Sequence, residues 1–200
     1  MGTHYHETNH ALYHAMTDDI AKKFVDPLNI AKDALIYDLE PGPGNFLKHM
    51  RDQGYSNVTG ITLDREDASN LLQQGYSVSF ADINFLANPD ESVDMIFARH
   101  TLSQSPFPYI SLLEYNRALK PNGYLYIDVP TPNSELKHES NRNQFSVMDR
   151  EMWLNLLQRT GFDIQWYDYR VPMKYLDGSG EFEEHCYVFI CKRRRPVDIK

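Results

Sequence analysis

The residues with which this chain could do chemistry are two carboxylates, two glycines and a few histidines. The carboxylates and glycines stand together in Asp38-Leu39-Glu40-Pro41-Gly42-Pro43-Gly44-Asn45. A short apolar run, Ala34–Leu39, leads into this Gly/Pro turn, and a helical pattern opens at Asn45. That order builds a strand–loop–helix pocket for a nucleotide. Glycine lets the backbone approach a ligand closely, and a helix N-terminus presents unpaired N–H groups to anything anionic. His100 lies just past a second apolar run, Val93–Ala98, and an imidazole with an unperturbed pKa of ~6.5 suits a general base. His138 lies in the polar stretch Thr131–Asn143, near Glu139, Arg142 and Gln144, a loop long enough to shape a substrate pocket. A third grouping, His6-Glu7-Thr8-Asn9-His10 with His14 one turn on, has the spacing of a helical metal site. A zinc protease needs such a helix buried within a supporting domain, so no metal is assigned to it.

The elements that must position these groups alternate along the chain. Residues 1–30 read as polar and helical, with Ala11, Leu12, Ala15, Met16 and Ile20 spaced for one apolar face and Pro27 as the stop. Strands are expected at Ala34–Leu39, Val58–Leu63, Tyr76–Ala81, Val93–Ala98 and Tyr124–Val129. Helices are expected at Asn45–Gln53, Arg65–Gln74, Tyr109–Leu119 and Met148–Thr160, with Gly54, Gly75 and Gly161 as stops. Alternation with short links implies a parallel sheet covered by helices on both faces. The rhythm breaks at the end, where strands at Phe162–Val171 and Glu183–Cys191 are joined by a loop over Pro172–Gly180 and so pair antiparallel. The aromatics Phe107, Tyr109, Trp153, Trp166, Tyr167 and Tyr169 are expected mainly in the core. Met173 and Tyr175 are better placed for a pocket or an interface.

Two hundred residues make one domain, and 42% hydrophobic with 24% charged residues is ordinary globular composition. No apolar run approaches the ~20 residues that span a bilayer, nor does the N-terminus carry a signal-peptide core. A cytoplasmic protein with no membrane partner is expected. Net charge is −8, yet residues 192–200 carry +4, so the first 191 residues carry −12. An acidic body argues against a nucleic-acid partner, and the basic run from Lys192 reads as a solvated tail. Cys186 and Cys191 are five apart in a strand, hence on opposite faces, and are expected to be buried free thiols.

Five strings in order resemble the class I S-adenosylmethionine-dependent methyltransferases. They are Asp38-Leu39-Glu40-Pro41-Gly42-Pro43-Gly44, Val58 to Asp64, Phe80-Ala81-Asp82-Ile83, Ser92 to His100, and Asn116-Arg117-Ala118-Leu119-Lys120-Pro121-Asn122-Gly123-Tyr124-Leu125. Thr160-Gly161-Phe162 adds to them. The resemblance spans about Leu35 to Lys192. It implies a Rossmann-like, doubly wound α/β sheet of seven strands, mostly parallel with the last antiparallel. It implies S-adenosyl-L-methionine as cofactor, methyl transfer to a small-molecule acceptor by in-line displacement, and residues 1–30 as a helical lid over a domain at 31–192, with a basic tail at 193–200. The cofactor-binding positions it implies are Asp38, Glu40, Pro41, Gly42, Gly44, Thr62, Leu63, Asp64, Asp82, Ile83, Ala98 and Arg99. His100 and His138 are the candidates for acid–base work. A non-catalytic protein that keeps the fold to bind the cofactor or a partner is the alternative. A dinucleotide oxidoreductase fits less well, because the third fingerprint glycine is missing and Asp38 would face a pyrophosphate.

Three departures from the resemblance matter. Glu40 stands where the family has its first glycine, and an extended Glu40 ahead of Pro41 would make glycine unnecessary there. Its carboxylate would suit the cofactor's ammonium or sulfonium, or else point to solvent. Thr62 stands where the family's ribose-binding acid lies, so either Thr62 makes a single hydroxyl bond or Asp64 reaches in from the loop. Thr-Leu at this point is similar to cyclopropane fatty acid synthases. Ser103 and Gln104 stand where relatives often carry Glu and His.

Overall fold

The computed structural model describes residues 11–132, 138–177 and 180–194. Seven strands form one sheet: β1 (Ile36–Leu39), β2 (Val58–Thr62), β3 (Ser77–Phe80), β4 (Val93–Arg99), β5 (Leu119–Pro130), β6 (Phe162–Asp177) and β7 (Gly180–Arg193). Their order is β3-β2-β1-β4-β5-β7-β6. Strands β1 to β5 run parallel, and β7 is antiparallel to both β5 and β6. The expected seven-stranded α/β architecture with an antiparallel last strand is present.

Among the described residues, five helices cover the sheet: α1 (Ala11–Phe24), α2 (Asn45–Asp52), α3 (Arg65–Gln73), α4 (Pro108–Ala118) and α5 (Arg150–Arg159). Period-two alternation sorts the strand residues into two cores. On one face Ile36, Met95, Phe97, Tyr126, Cys186, Val188 and Ile190 meet Tyr13, Ile20 and Phe24 of α1 and Phe46 and Met50 of α2. On the other, Leu39, Ile96, Ala98, Leu125, Ile127, Phe189 and Cys191 meet Leu112 and Tyr115 of α4 and Trp153 and Leu157 of α5. The two cysteines are therefore free, buried and on opposite faces. A column of rings crosses the first face. Phe46 stacks on Phe97 at 3.8 Å, Phe97 on Tyr126 at 4.5 Å, and Phe24 bridges Tyr126 to Trp166. Each such pair adds about 0.5–1.5 kcal/mol beyond its buried area.

The buried stripe of α1 differs from the expected one. Tyr13, Met16, Thr17, Ile20, Ala21 and Phe24 are buried, whereas Ala11 and Ala15 are exposed. The larger stripe wins because Tyr13 and Phe24 contribute far more apolar area than two alanines. The helix is also clasped to α2. Buried His49 faces Asp18 through Nδ1 at 2.6 Å and Asp26 through Nε2 at 3.1 Å, and Lys22 holds the other Asp18 oxygen. His6 and His10 lie outside the described residues, and among the described ones no three His, Cys, Asp or Glu side chains are grouped to hold a metal. No helix among the described residues is long and apolar enough to cross a membrane.

The expected loop at Pro172–Gly180 is largely strand. Pairing runs from Pro172↔His185 to Asp177↔Gly180, making one long β6–β7 hairpin. Pro172 can stand there because β6 is an edge strand, where a missing N–H costs little. The side chains of Tyr169, Met173 and Tyr175 lie outside the described residues. Trp153 is fully buried as expected, but Phe107, Tyr109, Trp166 and Tyr167 are exposed. At the other end of the hairpin, Arg193 belongs to β7 rather than to a tail. It is buried, donates to the Leu119 carbonyl at 2.7 Å and pairs with Glu91.

The Arg117–Gly123 string holds loops in place. Arg117 donates to the carbonyls of Leu86 and Asn88 and pairs with Glu114 and Asp90, which secures the β3–β4 connection. Gly123 packs so closely that a Cβ there would lie 2.9 Å from the Lys120 carbonyl oxygen.

Candidate functional site

In an open parallel sheet, ligands bind beyond the carboxyl ends of the strands where the strand order reverses. Here that point lies between β1 and β4, and the segments leaving those strands are tied together. The Thr101 hydroxyl donates to the Leu39 carbonyl at 2.9 Å. This bond sets the turn at His100 against the Glu40–Gly44 loop.

Glu40 does not adopt the expected extended backbone. Its φ is +53°, in the left-handed region. The preference ahead of Pro41 gives way because Glu40 N–H still bonds to the Ile61 carbonyl at 2.8 Å while the chain must turn out of the sheet. A left-handed non-glycine residue costs roughly 1–2 kcal/mol, so glycine's permissiveness is relevant here after all. The side chain folds back onto β2, where Oε2 accepts the Thr62 hydroxyl at 2.7 Å. Glu40 is exposed as a residue, but lost hydration around its carboxylate raises its pKa. Asp67 and Asp64 add to that rise, while the Thr62 hydroxyl and the Leu63 N–H oppose it.

Neighbouring residues complete this end. Thr62, fully buried, also accepts the Asp64 N–H at 3.0 Å. Asp64 caps α3, accepting from Glu66 N–H at 2.8 Å and Asp67 N–H at 3.0 Å. Leu63 is half exposed at the strand end. Gly42 has φ +52°, and a Cβ there would meet nothing within 4 Å, so this face of the loop is open. Gly44, at φ +88°, is packed instead, with a Cβ position 2.5 Å from Leu71 Cδ2. Pro41 lies against Gly60 of β2. Asp38 is buried at the end of β1, in register with Gly60 and Phe97. Asp82 accepts from both nitrogens of Asn84, Ile83 is buried in the second core, and Ala98 is wholly enclosed within β4.

The histidine candidates stand on different connections, His100 after β4 and His138 after β5. His100 also has a positive φ, +53°, and its N–H donates to Asp128 Oδ1 at 2.8 Å. Its Nε2 stands 3.6 Å from the same oxygen and 4.0 Å from Cys186 Sγ. Asp128 is fully buried, receives the Tyr126 hydroxyl at 2.9 Å, and has Arg99 Nε at 3.9 Å. Burial pushes its pKa up to about 6, against the pull of Arg99, Tyr126 and the His100 N–H. Arg99 leans toward α1, with Nη1 3.4 Å from Thr17 Oγ1. His138 lies in a short 3-10 turn, His138–Ser140, on the β5–α5 connection. Asp128 and Thr101 were not among the expected site residues. The signal for Asp128 was an acid inside the otherwise apolar run Tyr124–Val129.

This donor set fits an adenosyl sulfonium ligand. A carboxylate and a hydroxyl stand at the ends of β1 and β2, Leu63 offers an apolar face, and the Gly42 turn leaves backbone open to a ligand.

A family model described as a methyltransferase domain matches residues 8–165. No curated protein matches the chain. Among solved structures, the fold is similar to an S-adenosylmethionine-dependent methyltransferase from Archaeoglobus fulgidus, with TM-score 0.72, 14% identity, and coverage of 90% of this chain and 94% of that one. It is similar to one from Methanosarcina mazei at TM-score 0.69 and 17% identity, covering 86% and 98%. It is also similar to the [4+2]-cyclase SpnF at TM-score 0.67 and 16% identity, covering 90% and 81%. The chain belongs to the methyltransferase family and is a class I, S-adenosylmethionine-dependent enzyme.

Proposed function

We propose that the enzyme methylates a small-molecule acceptor, with His100 taking the acceptor's proton. When bound, the cofactor supplies a methyl group on a sulfonium, and the protein's work is alignment and proton handling. The observation that carries the reading is His100 standing over buried Asp128 on a turn pinned by Thr101 to the loop that follows β1. A carboxylate beneath an imidazole favours its protonated form, so a proton taken from the acceptor has a place to rest. Arg99 and Tyr126 hold that carboxylate from the other side. The acidic body supports a small acceptor over nucleic acid.

Within this reading, α1 belongs to a lid over the site, supported by the reach of Arg99 from β4 to Thr17 on α1. The test is formation of S-adenosylhomocysteine by the full chain offered panels of small amines, phenols, thiols and carboxylic acids, beside protein and RNA. Turnover confined to one small-molecule class is the expected result. Turnover only with protein or RNA would overturn the proposal.

A further inference from the structure

We infer that Glu40, and not residue 62 or 64, receives the ribose hydroxyls of the cofactor. This deepens the site described above and rests on the assignment of S-adenosylmethionine to it. A vicinal diol is best bound by a carboxylate, which accepts from both hydroxyls, and the end of β2 is where the chain must offer one. Thr62 cannot supply it. Its single hydroxyl proton is given to Glu40 Oε2, and it also accepts the Asp64 N–H. Nor is Asp64 aimed there, because its Oδ1 is engaged by two N–H groups at the start of α3. Thr62 is therefore spent on local structure, and Asp64 is turned to the start of α3 as its cap.

Glu40 is different. Its left-handed backbone turns the side chain across from the loop after β1 to the end of β2, so that its carboxylate stands 2.7 Å from the Thr62 hydroxyl. A carboxylate has about four acceptor positions. The Thr62 hydroxyl and the Leu63 N–H orient it without filling them. The acid has moved from the β2 strand to the β1 loop, and the hydroxyl at 62 is a positioning group that holds it. One substitution thus accounts for two departures, the missing glycine at 40 and the missing acid at 62. The ammonium and sulfonium are not its targets in this arrangement.

The experiment is calorimetric binding of S-adenosylhomocysteine and its 2′,3′-dideoxy analogue to the full chain. A charged hydrogen bond to a ligand hydroxyl makes Glu40→Gln bind S-adenosylhomocysteine about 10-fold or more weakly, with a change of under about 2-fold for the analogue. The double variant Glu40→Gly with Thr62→Asp restores an acid at the β2 end and recovers discrimination between the two ligands, while Glu40→Gly alone does not. Equal losses for both ligands in Glu40→Gln would overturn the proposal, as would undiminished discrimination. Wild-type protein that binds neither ligand would overturn the cofactor assignment itself, a result distinct from both. Thermal melting of each variant separates lost binding from lost folding.

Discussion

The Thr62 hydroxyl is bonded on both sides, donating to Glu40 Oε2 at 2.7 Å and accepting the Asp64 N–H at 3.0 Å. One side chain therefore links the loop after β1 to the start of α3. Thr62→Val keeps the shape and removes both bonds, at a cost of about 1–2 kcal/mol in stability. The Thr62 hydroxyl lowers a Glu40 pKa that burial raises, so the variant carries that pKa higher still. Titrating S-adenosylhomocysteine affinity against pH checks this. The acidic limb of the affinity profile moves to higher pH in Thr62→Val, and an unmoved limb would refute the coupling.

The two loop glycines fail in different ways when substituted. Gly44→Ala drives a Cβ to within 2.5 Å of buried Leu71 Cδ2 at φ +88°, so it lowers stability by about 1–3 kcal/mol. Gly42→Ala meets open space and costs only the strain of its positive φ, about 1 kcal/mol. Its methyl group instead stands on the open face of the loop. Urea unfolding with nucleoside binding sorts the pair: Gly44→Ala shows the larger loss of stability, and Gly42→Ala the larger loss of affinity relative to its stability change.

Much of this was legible in the residues themselves. Ile36, Leu39, Ile96 and Leu125 lie in apolar runs because parallel strands are buried on both faces, so β1, β4 and β5 stand out. Gly44 marks a turn and Gly123 a bulge in β5, and at neither does a side chain have room. The β6–β7 hairpin was hidden because Pro172 and the Asp-Gly-Ser-Gly run that begins at Asp177 read as a loop, and only pairing with β7 makes Pro172–Asp177 a strand. Glu40 was misread for a related reason. Local preference before proline favours extended backbone, and the bond to Ile61 on the neighbouring strand overrides it. Asp128 was missed because its role depends on Arg99, His100 and Tyr126, which meet only when β4 and β5 pair.

Asp128 gives stability a defined pH dependence. Its folded pKa, about 6, lies above an unfolded value near 3.8, so between these limits the native state binds more protons than the unfolded one. Its contribution is fully present below the unfolded pKa and is lost as pH rises through the folded pKa. The difference at pH 7 is on the order of 3 kcal/mol. Asp128→Asn removes that slope and leaves an amide oxygen to accept the His100 N–H. Urea midpoints between pH 4 and pH 7.5 should therefore fall less for the variant than for the wild type. Parallel profiles would contradict the assignment.

The same pair sets the expected behaviour of His100. Because its φ is +53°, the substitution that best preserves the turn is His100→Asn, asparagine being among the residues that tolerate left-handed backbone. The turn is further held by Thr101 on the Leu39 carbonyl and by Gln104 on the His100 carbonyl, so the loop ahead of α2 keeps its geometry. Loss of a positioned general base lowers kcat by about 10²–10⁴-fold, with S-adenosylhomocysteine affinity within a factor of about 3 of wild type. The acidic limb of the kcat profile disappears with the imidazole. An acceptor that reacts as a free base, such as an unprotonated amine, needs less help and loses less rate than a phenol or a carboxylic acid. Equal rate loss across acceptors, with the acidic limb retained, would show that His100 shapes the turn and takes no proton.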